Sequence, residues 1–129
     1  MPGNYSVKVE VFAEKYFIKS FQKKHKAHWD ITLKAITAGL ERIDMLLKTD
    51  RAVFICGDNI KIIKTKFKVV GTDESAKTSG NRCIVAWNKD KQIVNILLVY
   101  GKTDLRGNNE TAQWKSLIKE NYPEYSELL

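Results

Sequence analysis

Cysteine, proline and histidine are scarce in this 129-residue chain, with two of each. Cys56 and Cys83 are too few for a disulfide framework or a cysteine zinc site. Each sits in an apolar stretch, where free thiols are commonly buried. His25 and His28 lie near a helix end without a cysteine or carboxylate ligand set around them, so neither a metal nor a cofactor is expected. No apolar run approaches the roughly 20 residues a membrane helix needs. The N-terminus, Met1-Pro2-Gly3-Asn4-Tyr5, lacks the charged leader and apolar core of a signal peptide. The expectation is a soluble, cytoplasmic protein with no membrane partner. Negative charge is also in short supply: 15 Asp and Glu stand against 22 Lys and Arg, for a formal net charge of +7. That balance favours an acidic partner such as nucleic acid.

Hydrophobic residues make up 43% of the chain, enough for a real core. The length fits one domain spanning residues 1–129. The most informative run is Ile62-Ile63-Lys64-Thr65-Lys66-Phe67-Lys68-Val69-Val70. Strand side chains alternate between faces. As a strand, this run puts Lys64, Lys66 and Lys68 on one face and Ile63, Thr65, Phe67 and Val69 on the other. About three positive charges then lie within roughly 13–14 Å. Such a row repels itself and attracts a polyanion. The plain alternative is a solvated face that discourages edge pairing.

Periodicity organises the rest. Val7, Val9 and Val11 alternate with polar residues, predicting a strand over Tyr5 to Val11. A helix is expected from Phe12 to Ala27, with Phe17 and Phe21 on one face and Lys15, Lys19, Lys23, Lys24 and Lys26 on the other. Asp30 is a candidate cap for a second helix over Ile31 to Leu47, striped by Leu33, Ile36, Leu40, Ile43 and Leu47. Gly39 marks a candidate close approach in that helix. Strands are then expected at Ala52–Cys56, Ile60–Val70, Arg82–Trp87 and Gln92–Tyr100, the last the most apolar and central. Turns fall at Gly57-Asp58-Asn59 and Asn88–Lys91, and residues 71–81 form a polar loop. A last helix over Asn109 to Tyr122 carries Trp114, Leu117, Ile118 and Tyr122, and Pro123 ends it. The fold class is α+β: an N-terminal strand, a helical hairpin, a three-to-four-stranded largely antiparallel sheet and a C-terminal helix, with the helices on one face.

This order carries three further motifs: Lys64-Thr65-Lys66, Ser79-Gly80-Asn81-Arg82, and Val99-Tyr100-Gly101-Lys102-Thr103-Asp104. In sequence and spacing they resemble the RelE/ParE superfamily of toxins from bacterial toxin–antitoxin pairs, over about Val7 to Lys102. That family has a basic Lys-x-Lys strand, a Ser-Gly-Tyr-Arg type segment opening the next strand, and a Val-Gly-Lys-Arg or Tyr-x-Lys ending on the strand after. Asn81 stands where tyrosine is common, and Thr103 where RelE proper has a second arginine, a charge Lys102 or Arg106 can supply. The resemblance implies a compact toxin silenced by a cognate antitoxin. The RelE branch implies a metal-independent endoribonuclease cutting mRNA on the ribosome, with no cofactor; the ParE branch implies a gyrase poison. A nucleic-acid-binding module without catalysis is the third reading. The retained basic residues favour the RelE branch.

Cleavage by the ribose 2′-OH needs removal of the 2′ proton, stabilisation of a dianionic phosphorane and protonation of the 5′-oxygen. Clustered positive charge lowers the pKa of a lysine or tyrosine. Lys66, with Lys64 beside it, is the first candidate for base or phosphate clamp. Arg82 suits the phosphorane, because a guanidinium stays charged and binds phosphate through two hydrogen bonds. Tyr100 and Lys102 are candidates for the acid. Lys68, Arg106, Lys23 and Lys24 are candidate RNA-phosphate contacts. The plainer readings are an Arg82 pair with Asp73 or Glu74, a core-edge Tyr100 and an ordinary exposed Lys102. Trp29, Trp87 and Trp114 can stack bases, although Trp29 and Trp114 read first as core anchors.

Overall fold

The computed structural model describes residues 4–101, 104–105 and 109–129, leaving aside the side chains of Tyr16 and Phe17. The Phe17 expectation therefore falls outside the described residues, as do Lys102 and Arg106.

Among the described residues, five strands form one sheet: β1 (Ser6–Val9), β2 (Ala52–Gly57), β3 (Ile60–Lys66), β4 (Arg82–Asn88) and β5 (Ile93–Tyr100), in the spatial order β1-β5-β4-β3-β2. β1 runs parallel to β5, and the other pairings are antiparallel. The α+β reading holds, with Ala52–Gly57 completing a fifth strand. β4 takes the central place and β5 lies between β1 and β4. Gly57 sits at φ 106° before the Asp58-Asn59 link. A Cβ there would run into the Ile60 carbonyl, so the hairpin needs glycine.

Helices cover both faces of the sheet rather than one, for a reason visible in the strands. Cys83 to Trp87 of β4 are all buried, as are Ile96 to Tyr100 of β5. Strands apolar on both sides must be covered on both sides. On one face lie α1 (Val11–Ala13), a π-helical stretch (Glu14–Ile18), α2 (Lys19–Lys24), α3 (Trp29–Leu40) and α4 (Ile43–Leu46). Their core joins Phe21, Trp29, Ile36, Leu40 and Ile43 to Ile63, Phe67, Cys83 and Val85 of the sheet side. Phe21 stacks on Trp29 with ring centroids 5.0 Å apart. Such a pair contributes about 0.5–1.5 kcal/mol beyond its buried area. On the other face, α5 (Glu110–Asn121) and a 3-10 segment (Pro123–Leu128) bring Trp114, Ile118, Tyr122 and Tyr125 onto Ile62, Ile84, Ala86, Leu98 and Tyr100. Tyr122 donates its hydroxyl proton to the Leu97 carbonyl at 2.7 Å, locking this layer down.

Several boundary expectations are corrected. Val11 begins the first helix and is 62% exposed, because the strand ends at Val9. His28, not Asp30, stands at the N-cap of α3; Asp30 lies in the first turn, where its charge suits the helix dipole. The second helix breaks at residues 41–42 into α3 and α4. Gly39 faces open space, with nothing within 4 Å of an added Cβ, so no neighbour requires it. β3 stops at Lys66, which leaves Lys68 outside the strand and exposed. All three tryptophans are buried.

Candidate functional site

The register across three strands assembles the site. β3 pairs Lys66 with Arg82, and β4 pairs Arg82 with Tyr100. Residues directly opposite each other point to the same side of a sheet. Lys66, Arg82 and Tyr100 thus form a row across one end of the sheet. Lys64, opposite Ile84, lies two residues along on that same face, roughly 7 Å away. This is the face covered by α5.

α5 contributes a residue that sequence reading missed. Glu110, in its first turn, places Oε2 2.8 Å from Lys64 Nζ, and the Tyr100 hydroxyl donates to the same oxygen at 2.7 Å. Burial alone would raise the Glu110 pKa. Hydrogen bonds from Lys64 and Tyr100, and the positive charge of Lys64 and Arg82, outweigh it and hold the carboxyl below its ordinary range. Tyr100 moves the other way: burial, then the hydrogen bond to Glu110 and its negative charge, push the phenol up, so it stays protonated. Tyr100 is 1% exposed, so it is both a core-edge tyrosine and a proton donor aimed at an anion. A carboxylate in a first helical turn is already accounted for by the helix dipole, which hid Glu110. The signal that would have found it is the self-repelling lysine row, which needs a counter-charge from whatever element covers that face.

Arg82 is held by a built turn. The buried Ser79 hydroxyl donates to the Phe67 carbonyl at 2.6 Å and to the Ala76 carbonyl at 2.9 Å, and accepts the Asn81 N–H at 3.0 Å. Gly80 follows at φ 76°, a region open to glycine. The Arg82 guanidinium then donates to the carbonyls of Asn81 (2.9 Å), Ala76 (3.4 Å) and Lys77 (3.3 Å). Among the described residues it pairs with no carboxylate, so Asp73 and Glu74 do not neutralise it. The Ser-Gly-Asn-Arg segment therefore fixes a charged guanidinium at the sheet end.

Of the residues singled out from sequence, Lys64, Lys66, Arg82 and Tyr100 come together. Lys68 stands apart beyond β3. Lys23 and Lys24 lie exposed in the last turn of α2, in the helical layer on the opposite face. Chemically, the assembled group offers fixed cations, a buried protonated phenol and an ionised carboxylate on one face of the sheet.

No family model and no curated protein matches this chain. Among solved structures, a chain of the archaeal RelE–RelB complex from Pyrococcus horikoshii OT3 aligns with a TM-score of 0.54. The alignment covers 79% of this chain and 99% of that chain, at 16% identity.

The fold is RelE-like.

At that identity the likeness speaks for the backbone, and the chemistry rests on this chain's own side chains. In this RelE-like frame the Lys64–Glu110–Tyr100 contact ties the C-terminal helix to β3 and β5. Among the described residues no helix is long and apolar enough to cross a membrane.

Proposed function

We propose that this chain is the toxin of a toxin–antitoxin pair: an endoribonuclease that cuts mRNA on the ribosome and so stops translation. The observation that carries the reading is the Glu110 oxygen held between Lys64 and Tyr100, on the face that also bears Lys66 and Arg82. The site binds an anionic oxygen with a cation and a phenol, as a scissile phosphate requires.

The roles follow from charge state. Arg82 stays charged and is pre-positioned by three carbonyls, which suits it to the dianionic phosphorane. Lys64 and Lys66 bind phosphate oxygens beside it. Tyr100 keeps its proton and serves as the donor to the departing 5′-oxygen. Glu110 is ionised and takes up the 2′ proton on Oε1; Oε2 keeps Lys64, and the Tyr100 hydroxyl turns from Oε2 to the 5′-oxygen as that oxygen departs. After cleavage the protonated Glu110 carboxyl turns its proton to the Tyr100 phenolate, whose oxygen lies 2.7 Å from Oε2 in the resting site, and this restores both groups. The cations supply the charge stabilisation in this scheme, so no metal or cofactor is called upon. Lys102 is kept as a further candidate for the acid, and Lys68 and Arg106 as phosphate contacts.

The partners proposed are a cognate antitoxin, mRNA and ribosomal RNA, in the cytoplasm. The formal net charge of +7 favours each of these polyanionic or acidic surfaces. Primer extension on cellular mRNA after induced expression tests the reading. Cuts phased to codons are expected. DNA breaks with intact mRNA would point to a gyrase poison instead.

A further inference from the structure

A cavity opens at the same end of the sheet, on the opposite face. Its volume is about 440 Å³, and it lies against Phe21, Lys24, His25, Asn81, Gly101 and Asp104. Ligand pockets commonly run from about 300 to 1,000 Å³. Asn81 and Gly101 are the chain neighbours of Arg82 and Tyr100, so the cavity and the proposed cleavage site share their strand ends.

Three features say what fits. First, the cavity ends an aromatic column. Trp29 stacks on Phe21 at 5.0 Å, and Phe21 stacks on His25 at 6.2 Å with the ring planes 26° apart. Trp29 and Phe21 are buried and His25 is half-buried, so His25 is the exposed end of the stack. A planar ring is the natural next member. Second, the hydrogen bonds of Asn81 among the described residues run through its backbone: the N–H to Ser79, and the carbonyl to Phe67 and Arg82. Its amide is left to read a ligand. Gly101 keeps the chain close here, since an added Cβ would sit 3.2 Å from Phe21 Cζ and 3.3 Å from Asn81 Oδ1. Third, Asp73, Glu74 and Asp104 also line the cavity. Carboxylates repel a phosphate inside it but accept hydrogen bonds from exocyclic amino groups. Lys24 lines the cavity from α2 and is exposed, free to meet a phosphate outside it.

We infer that this cavity is a nucleobase subsite. It takes the base of a nucleotide neighbouring the scissile phosphate, stacks it on His25, reads it with Asn81 and the carboxylates, and prefers a base with an exocyclic amino group. Lys24 contacts that nucleotide's phosphate, which gives the α2 lysine a role from the far side of the sheet. The inference rests on the ribonuclease reading, and the test separates the two.

The cut positions and the rates of wild type, His25→Ala, His25→Phe and Asn81→Ala are compared on ribosomes programmed with mRNAs varied at the flanking positions. In parallel, the four nucleoside 5′-monophosphates are titrated into each protein and followed by NMR at His25 or nearby amides. The expected result is a base preference in wild type that His25→Ala and Asn81→Ala flatten, with KM raised roughly five- to tenfold and kcat changed less. His25→Phe restores the stacking and the KM. Binding of cytidine, adenosine or guanosine monophosphate ahead of uridine monophosphate is expected in wild type and is lost in His25→Ala. Cleavage with unchanged preference and KM in folded His25→Ala and Asn81→Ala overturns the subsite and leaves the ribonuclease reading standing. If wild type cuts no RNA, the ribonuclease reading fails; the titration then decides whether the cavity binds bases, and no saturable shift there overturns it.

Discussion

Replacing Glu110 with glutamine separates binding from chemistry at this site. Glutamine keeps the shape of the side chain and its acceptor for Tyr100, but removes the charge that pairs with Lys64 at 2.8 Å. Two effects follow in opposite directions. Loss of a negative charge beside an incoming phosphate tightens RNA binding. The Glu110 side chain is 42% exposed, so the interaction is screened. Two unit charges about 4 Å apart in a water-like dielectric interact by about 1 kcal/mol, which corresponds to roughly fivefold in affinity. Loss of the proton acceptor slows the chemical step, and general-base catalysis commonly contributes about 10²–10⁴-fold. The Glu110→Gln protein is therefore expected to bind programmed ribosomes up to about fivefold more tightly, while its single-turnover cleavage rate falls by about 10²–10⁴-fold. Wild-type cleavage should be insensitive to pH from neutrality down to the suppressed carboxyl pKa, then decline as Glu110 protonates. The assay is single-turnover primer extension at saturating ribosome, with binding followed by co-sedimentation. A cleavage rate equal to or above wild type would refute the assignment of Glu110 as proton acceptor and leave it as a competing counter-charge.

Two other consequences can be checked on stability and positioning. Ser79→Ala removes the hydroxyl that joins Phe67, Ala76 and Asn81; the Phe67 carbonyl and the Asn81 N–H lose this partner, while the Ala76 carbonyl keeps the Arg82 guanidinium. A cost of about 1–3 kcal/mol in urea unfolding is expected, together with a loss of cleavage in the still-folded protein, because the same turn aims Arg82; normal stability would refute the first and normal cleavage the second. Stability should also fall in alkali. Burial pushes the Cys83 thiol up to about 12, from an ordinary 9.0. Burial first of all also raises the phenols of Tyr100 and Tyr122 above their ordinary 10.0. These groups hold protons in the fold that the unfolded chain releases, so their contribution is complete below about pH 9 and is lost as pH rises beyond it. Glu110 works in the reverse sense, contributing above its ordinary 4.5 and ceasing to do so as pH falls through its lowered value. A urea midpoint that stays flat from pH 8 to pH 11 would contradict the alkaline limb.

Much of the fold was readable because period-two and helical stripes mark which residues must be covered. The valines of β1, the apolar run of β5 and the Trp114–Ile118 stripe all led to the right elements. The covering of both sheet faces is less readable, since a continuous apolar stretch such as Cys83 to Trp87 marks a strand without saying what covers each of its sides. Boundaries failed where a side chain's local preference was outweighed: Val11 is a good strand residue that begins a helix, and Lys68 continues the alternation past the end of β3. At the site, Lys64 and Lys66 were legible from the period-two alternation, and Arg82 and Tyr100 from the motifs that resemble the RelE/ParE superfamily; the strand register is what brings the four together. Glu110 was not, because no local pattern says that a helix beginning ten residues after Tyr100 returns its first turn to the lysine strand. The cavity at His25 was hidden for the same reason: His25 and Asn81 are brought together by helix-on-sheet packing, which no local motif encodes.

The central claim is that the Lys64–Arg82–Tyr100–Glu110 cluster cuts RNA. Single-turnover cleavage of mRNA on purified programmed ribosomes, compared between wild type and Arg82→Ala, tests it most directly. The account predicts codon-phased cuts by the wild type and a loss of about 10²–10³-fold in rate for a folded Arg82→Ala protein, the scale of removing one transition-state donor. Equal rates in the two proteins, or no cleavage by the wild type, would contradict it.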